Sequence, residues 1–280
     1  MESQNFFEED WDHILILDSA RYDVFEDVFE DYFTGELQKR KSPASATPEW
    51  VHEIMEGRHN VNWFSSNPFI NSTGKPLSAV GAVDYDTVPN RHVAHIEDLW
   101  DKAWSEENGT VLPEDVNKHF REKRPELADR RNVIHYMQPH LPFIGRGKGR
   151  INQLIQADIL EDSGSNVLDK IGERIPGLVE KLEEREIVMK LAMYSSLDAK
   201  SMLEVLRNDS SEKMKEYHEE NLRKVLEEAA KLVDDLDGKV VITSDHGEAF
   251  GEEGVWEHHV EKEVPELLEV PWLIVEDTVK

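Results

Sequence analysis

Five short apolar runs punctuate the chain, and each stops abruptly at polar residues: ILILD at 14–18, VNWFSSN at 61–67, NVIHYMQPH at 132–140, VVITSDH at 240–246 and PWLIVE at 271–276. Apolar residues at successive positions over so few residues predict strands buried on both faces. Between them the apolar spacing changes to that of a helix. In SSEKMKEYHEENLRKVLEEAAKLVDDLDG, residues Met214, Tyr217, Leu222, Val225, Leu226, Ala229, Val233 and Leu236 keep one face. Ser211 is placed to cap the start of this helix, and Gly238 lies just past its end. The stretch VMKLAMYSSLDAKSMLEVLR, 188–207, is also helix-like. Strands alternating with helices predict an α/β fold, a mostly parallel central sheet with helices on both faces.

Sheets of this kind bind ligands beyond the carboxyl ends of their strands. Asp18, His140, Asp245 and His246 are all expected to project there. Asp18 follows four apolar residues, and a buried carboxylate needs a cation or several donors to offset its desolvation. It can ligate a metal, or cap a helix beginning near Ser19. Asp245 and His246 are adjacent, so in a continuing strand they diverge; Gly247 lets the backbone turn and both address one ion. His258 and His259 follow in the next loop, either as ligands or as surface residues. His135 and His140 lie on opposite sides of a straight strand unless the strand ends between them, as Pro139 suggests. His140 is therefore the better site residue, and His135 reads equally as a core histidine.

In KSPASATPEWVHEIMEG, Thr47 fits an N-cap and Pro48 the first helical position, ahead of Trp50, Val51, Ile54 and Met55. That puts the Thr47 hydroxyl at the positive end of a helix, where it caps the helix or attacks a substrate if a base or metal lowers its proton affinity.

Composition narrows the chemistry. Across 280 residues, Asp and Glu number 59 against 32 Lys and Arg, a formal charge of -27, which repels polyanions and argues against nucleic acid as a partner. The acidic excess is dispersed, as on the solvated surface of a protein from a halophile. With no cysteine, thiolate sites and disulfides are excluded, so any metal is held by His, Asp, Glu or hydroxyl groups. No stretch approaches the roughly 20 apolar residues of a spanning helix, and the amino terminus lacks the features of a signal peptide. These features predict a single domain over 1–280, cytoplasmic and without an integral membrane segment.

The order of these segments resembles the alkaline phosphatase and sulfatase superfamily, in particular its haloarchaeal sulfatase-like proteins. ILILDSARYD resembles the opening strand with its metal-binding Asp, SATPEWVHEIMEG the nucleophile helix, and VVITSDHGEAFGEEG followed by WEHH the late metal site. HYMQPHLPF is similar to the histidine segment of the phosphoethanolamine transferases and lipoteichoic acid synthases. The resemblance implies an alkaline phosphatase-like fold in which Asp18, Thr47, Asp245 and His246 hold a divalent metal and Thr47 attacks. It places His140 and His258 at the substrate's anionic group or a second metal, and it lets Arg21 hold a nonbridging oxygen unless Arg21 pairs with Asp23 or Asp27. Two carboxylates, an imidazole and a hydroxyl suit Zn or Mn, with Mg or Ca also compatible.

The chain departs from the family in three respects. It lacks the Cys/Ser-x-Pro-x-Arg signature of sulfatases, it has one acid, Asp18, where many sulfatases have two, and Ala-Thr-Pro-Glu surrounds Thr47, leaving Ser45 as an alternative nucleophile. The expected activity is metal-dependent hydrolysis or transfer of a phosphate mono- or diester through a phospho-Thr47 intermediate. The substrate would be a small anionic ester or one linked to a glycan or lipid; the basic island GRGKGR at 145–150 reads first as a flexible solvent loop and alternatively as a guide for such a substrate. The alternatives are a catalytically silent binding module and a sulfatase-like ester hydrolase.

Overall fold

The computed structural model describes residues 1–81, 83–145 and 211–279. The helix-like stretch 188–207 and all but the first residue of GRGKGR lie outside the described residues. Eight strands form one sheet: β1 (Glu2–Ser3), β2 (His13–Leu17), β3 (Phe33–Lys41), β4 (His59–Ser65), β5 (Val93–Asp98), β6 (Arg131–Tyr136), β7 (Val240–Thr243) and β8 (Glu269–Thr278). Their spatial order is β1-β3-β8-β7-β2-β6-β4-β5. All neighbours are parallel except where β8 meets β3 and β7. The mostly parallel α/β sheet expected from the sequence is the one observed, and each of the five apolar runs contributes a strand.

Period-2 alternation sorts the strand residues between two cores. On one face Leu15 and Leu17 of β2, Ile134 and Tyr136 of β6 and Ile242 of β7 pack against three helices. These are α1 (Tyr22–Val28), α3 (Pro113–Lys123) and α4 (Ser211–Val233). On the other face Ile14, Ile16, Val133, Val241 and Trp272 meet Phe6, Trp11 and the residues Trp50 and Val51 of α2 (Thr47–Ile54). Every residue of β2 is buried, and a fully buried aliphatic side chain contributes about 1.5–3 kcal/mol, so this central strand anchors both layers.

Three strands have no counterpart among the five apolar runs: the two-residue edge strand β1, which is exposed at both positions, and two longer ones. FTGELQKRK, which forms β3, is half-polar because this strand is fully buried only at Phe33 and Arg40. VAHIED forms the edge strand β5, with Ala94 and His95 only partly buried. The α4 helix follows its predicted face with two polar additions: His218 and Asn221 are buried beside Leu222, Val225 and Leu226, while Tyr217 is only partly so. It ends at Val233, three residues before the apolar pattern does, and the chain turns at Gly238 with φ +100°.

Candidate metal centre and active site

The carboxyl ends of β2 and β7 lie side by side, with Ile16 paired to Thr243. The residues that follow each strand therefore meet. Asp18, Asp245 and His246 are fully buried, and one ligand atom from each lies within 4.8 Å of the others. His246 Nε2 is 3.4 Å from Asp245 Oδ2 and 3.9 Å from Asp18 Oδ1. The Nδ1–H of His246 donates to the Gly247 carbonyl at 2.7 Å, which leaves the Nε2 lone pair facing the carboxylates.

Gly247 serves this corner by close approach. Its φ is not positive; instead its N–H donates to the Leu267 carbonyl at 2.8 Å, and a Cβ would fall 1.9 Å from the Glu266 carbonyl oxygen. The turn expected from Gly247 is thus set by the segment leading into β8.

Thr47 reaches the same point from the amino end of α2. It is the first helical residue, Ala46 being the N-cap, and its hydroxyl caps nothing. Thr47 Oγ1 donates to Asp245 Oδ2 at 2.8 Å and lies 3.2 Å from His246 Nε2. The N-cap expectation for Thr47 is corrected here: two buried ligands draw the hydroxyl away from the helix amides. Asp18 does not cap a helix either, since α1 starts at Tyr22 behind Arg21.

The other candidates occupy a second ring. His258 is half-buried, its ring centroid 4.4 Å from that of His246 and 4.9 Å from that of His140. The His258 Nδ1–H points at the buried Glu248 carboxylate, 3.1 and 3.2 Å from its oxygens. Burial alone would lower the His258 pKa, but the charge and hydrogen bond of Glu248 push it up to about 9. His140 is lowered instead, by burial and by the neighbouring His258. Its Nδ1 contacts the Leu141 carbonyl, and its amide donates to the Asp18 carbonyl at 3.1 Å.

Arg21 is buried and fully engaged: Nε and Nη2 donate to Asp23 at 2.9 Å each, and Nη1 donates to Glu252 at 2.7 Å and to the Glu248 carbonyl at 3.2 Å. The pairing with Asp23 weighed from the sequence is present, and the remaining contacts join the guanidinium to the loop that carries Glu248 and Glu252. Ser45 Oγ lies 2.7 Å from the His259 carbonyl and 3.1 Å from Glu49 Oε2, outside the cluster, and His259 itself is exposed.

Three contributors carried no signal strong enough to assign. Asn67 closes the run VNWFSSN and donates from Nδ2 to Asp18 Oδ2 at 2.7 Å. Ser19 donates its amide to Asp245 Oδ1 at 3.1 Å. His135, in the strand and fully buried, sits with Nε2 3.5 Å from Asp18 Oδ2. Burial works against ionising Asp18, yet His135 and the imidazoles of His140 and His246 hold its carboxyl well below the usual carboxylate range.

This donor set fits a divalent cation. Asp18 Oδ1 is buried with no hydrogen-bond partner among the described residues, although a carboxylate out of water needs its lone pairs satisfied. Two buried carboxylates within reach of one point repel each other unless a cation lies between them. Carboxylate oxygen, imidazole nitrogen and hydroxyl are ligands for Zn or Mn, and also for Mg or Ca.

Fold and site together define a mostly parallel α/β architecture with a cluster of metal-type ligands beyond the sheet's carboxyl edge. Among solved structures, the chain is similar to the C-terminal periplasmic domain of a phosphoethanolamine transferase from Campylobacter jejuni, at 14% identity and a TM-score of 0.50, covering 93% of this chain and 77% of that one. It is also similar to the soluble domain of lipooligosaccharide phosphoethanolamine transferase A from Neisseria meningitidis, at 12% identity and a TM-score of 0.50, covering 94% and 75%. No family model and no curated protein matches the chain. Among the described residues no helix is long and apolar enough to cross a membrane.

Proposed function

We propose that the protein is a metal-dependent phosphoric ester hydrolase or phosphotransferase in which Thr47 is the nucleophile. The observation that carries this reading is the Thr47 hydroxyl, hydrogen-bonded to Asp245 at 2.8 Å and 3.2 Å from His246 Nε2, within a ligand cluster whose Asp18 Oδ1 has no partner among the described residues. Asp18, Asp245, His246 and Thr47 would hold the cation. When bound, the cation supplies positive charge that lowers the proton affinity of the Thr47 hydroxyl and offsets charge on the phosphoryl oxygens.

The chain's own groups do the rest. Asp245 Oδ2 accepts the Thr47 proton along the existing hydrogen bond. Thr47 Oγ1 forms a bond to phosphorus as the ester P–O bond breaks, and the departing alkoxide takes up a proton from water. Thr47 stands at the amino end of α2, whose positive dipole end favours an incoming anion. His258, charged beside Glu248, and His140 border the cluster where the anionic group must lie. Attack of water on phospho-Thr47 releases phosphate and restores the hydroxyl; attack of an alcohol transfers the phosphoryl group instead.

The two solved structures described above are named as phosphoethanolamine transferases, one of them a lipooligosaccharide phosphoethanolamine transferase, which supports a small, lipid-linked or glycan-linked phosphoester as substrate. The missing sulfatase signature weighs against sulfate esters. Intact-mass measurement after incubation of the Zn- or Mn-loaded protein with nitrophenyl phosphate mono- and diesters tests the reading. A phospho-adduct and turnover are expected from the wild type and neither from Thr47→Ala. A folded, metal-loaded wild type inert to the whole panel would favour a silent binding module.

A further inference from the structure

Asp18 is followed by a residue in a conformation that its side chain disfavours: Ser19 has φ 59°, in the left-handed region that glycine occupies freely. Such a turn persists only where its surroundings over-determine it. Here they do so through both sides of Ser19. Its N–H donates to Asp245 Oδ1 at 3.1 Å, and its carbonyl accepts from His218 Nε2 at 3.0 Å. The next amide, Ala20 N–H, donates to Ser244 Oγ at 2.8 Å.

His218 is an unusual choice for its position. It is fully buried on α4 next to Leu222, where an apolar residue would pack without burying a polar ring. Burial, only partly opposed by the Ser19 carbonyl, pushes its pKa down to about 4, so the ring is neutral and carries one N–H. That proton lies on Nε2, directed at Ser19, while Nδ1 has no partner among the described residues and the ring packs edge-on to Phe250 at 5.5 Å. The one donor of a buried imidazole is committed to one carbonyl, that of the residue between Asp18 and Ala20.

We propose that His218 is a positioning residue for the metal centre, fixing the left-handed turn at Ser19 and through it the carboxylates of Asp18 and Asp245. The geometry shows how. Asp245 Oδ1 is claimed by the amides of Ser19 and His246, at 3.1 and 3.0 Å, which leaves Oδ2 for Thr47 and the cation. If the Ser19 peptide rotates, one of these amides is lost and Asp245 is free to swing, while Asp18, one residue earlier, turns with it. The inference rests on the metal reading above and adds to it a residue of α4 whose N–H reaches the ligand cluster through the Ser19 carbonyl.

The test is calorimetric titration of the metal-free full-length protein with Zn and with Mn, alongside thermal unfolding of the metal-free forms. His218→Leu should weaken metal binding about tenfold or more, and His218→Gln, which returns an N–H donor, should recover it to within about threefold of wild type. Ser19→Gly in the His218→Leu background should also recover binding, because glycine adopts the turn without help. A His218→Leu protein that melts lower yet binds metal like the wild type would overturn the proposal, leaving His218 a packing role only. If His218→Leu does not fold, the double variant decides: failure to fold or to bind metal overturns it. A wild type that binds neither metal overturns the metal reading and this inference with it, whereas equal binding by wild type and His218→Leu overturns this inference alone.

Discussion

Thr47 and Asp245, 198 positions apart in the chain, are joined by a 2.8 Å hydrogen bond between a hydroxyl and a carboxylate that are both buried. The contact exists because β2 and β7 are neighbours in the sheet and α2 delivers its first residue above them. Ser45, two residues earlier, is held by the His259 carbonyl and Glu49 instead.

That separation predicts opposite outcomes for two conservative changes. Ser45→Ala should keep adduct formation and turnover within about threefold, whereas Thr47→Ala should reduce turnover by at least about 10³-fold, as removal of a nucleophile does. Thr47→Ser, which keeps the hydroxyl, should still form the adduct. Mass spectrometry of the three variants after brief exposure to a nitrophenyl phosphate ester measures this, and adduct loss in Ser45→Ala would assign the nucleophile to Ser45.

Asn67 makes the only side-chain amide contact to Asp18 among the described residues, at 2.7 Å. Asn67→Ala should weaken metal binding by about tenfold. It should also destabilise the metal-free protein by about 1–3 kcal/mol, the consequence of leaving a buried carboxylate oxygen short of a donor. Calorimetry and urea unfolding read the two effects separately; unchanged metal affinity would remove Asn67 from the site.

The five strands were legible because burial on both sheet faces demands apolar residues at successive positions, and the late Asp245–His246 pair stood out because it interrupts such a run. The contact partners were not legible. Which strand lies beside which depends on long-range pairing, so the amide of Asn67 and the ring of His218 looked like a loop residue and one more polar position on a long helix. Thr47 was read as a cap because local pattern fits one, Pro48 following it; the tertiary contact with Asp245 decides otherwise. β3 hid because its only deeply buried positions are Phe33 and Arg40, and the arginine has its partners in Gln38 and Glu9.

Gly247 tests whether the segment before β8 sets the ligand corner. A methyl group there would meet the Glu266 carbonyl oxygen at 1.9 Å, so Gly247→Ala must displace backbone. The expected result is destabilisation by about 1–3 kcal/mol together with weakened metal binding. Denaturant unfolding and metal titration check it. A variant with full metal affinity would show that Asp245 and His246 do not depend on this packing.

Acid stability should report His218. Its ordinary pKa is 6.5, and in the folded protein burial lowers it to about 4. Above pH 6.5 the ring is neutral in both states and its contribution is complete. Between 6.5 and about 4 the unfolded chain binds a proton that the folded chain does not, so stability falls with acidification by up to about 1.4 kcal/mol per pH unit. Below about 4 the loss levels off. Urea unfolding from pH 8 to 4 should therefore show a steeper decline in the wild type than in His218→Gln, by about 1–3 kcal/mol in total; parallel curves would mean that His218 is not a buried neutral ring.

The most direct measurement of the whole account is anomalous diffraction from crystals grown with Mn or Zn and vanadate. The account predicts one metal peak about 2.0–2.2 Å from oxygens of Asp18, Thr47 and Asp245 and from His246 Nε2, with vanadium bonded to Thr47 Oγ1. Metal bound elsewhere, or vanadate placed away from Thr47 while the ligands remain empty, would contradict it.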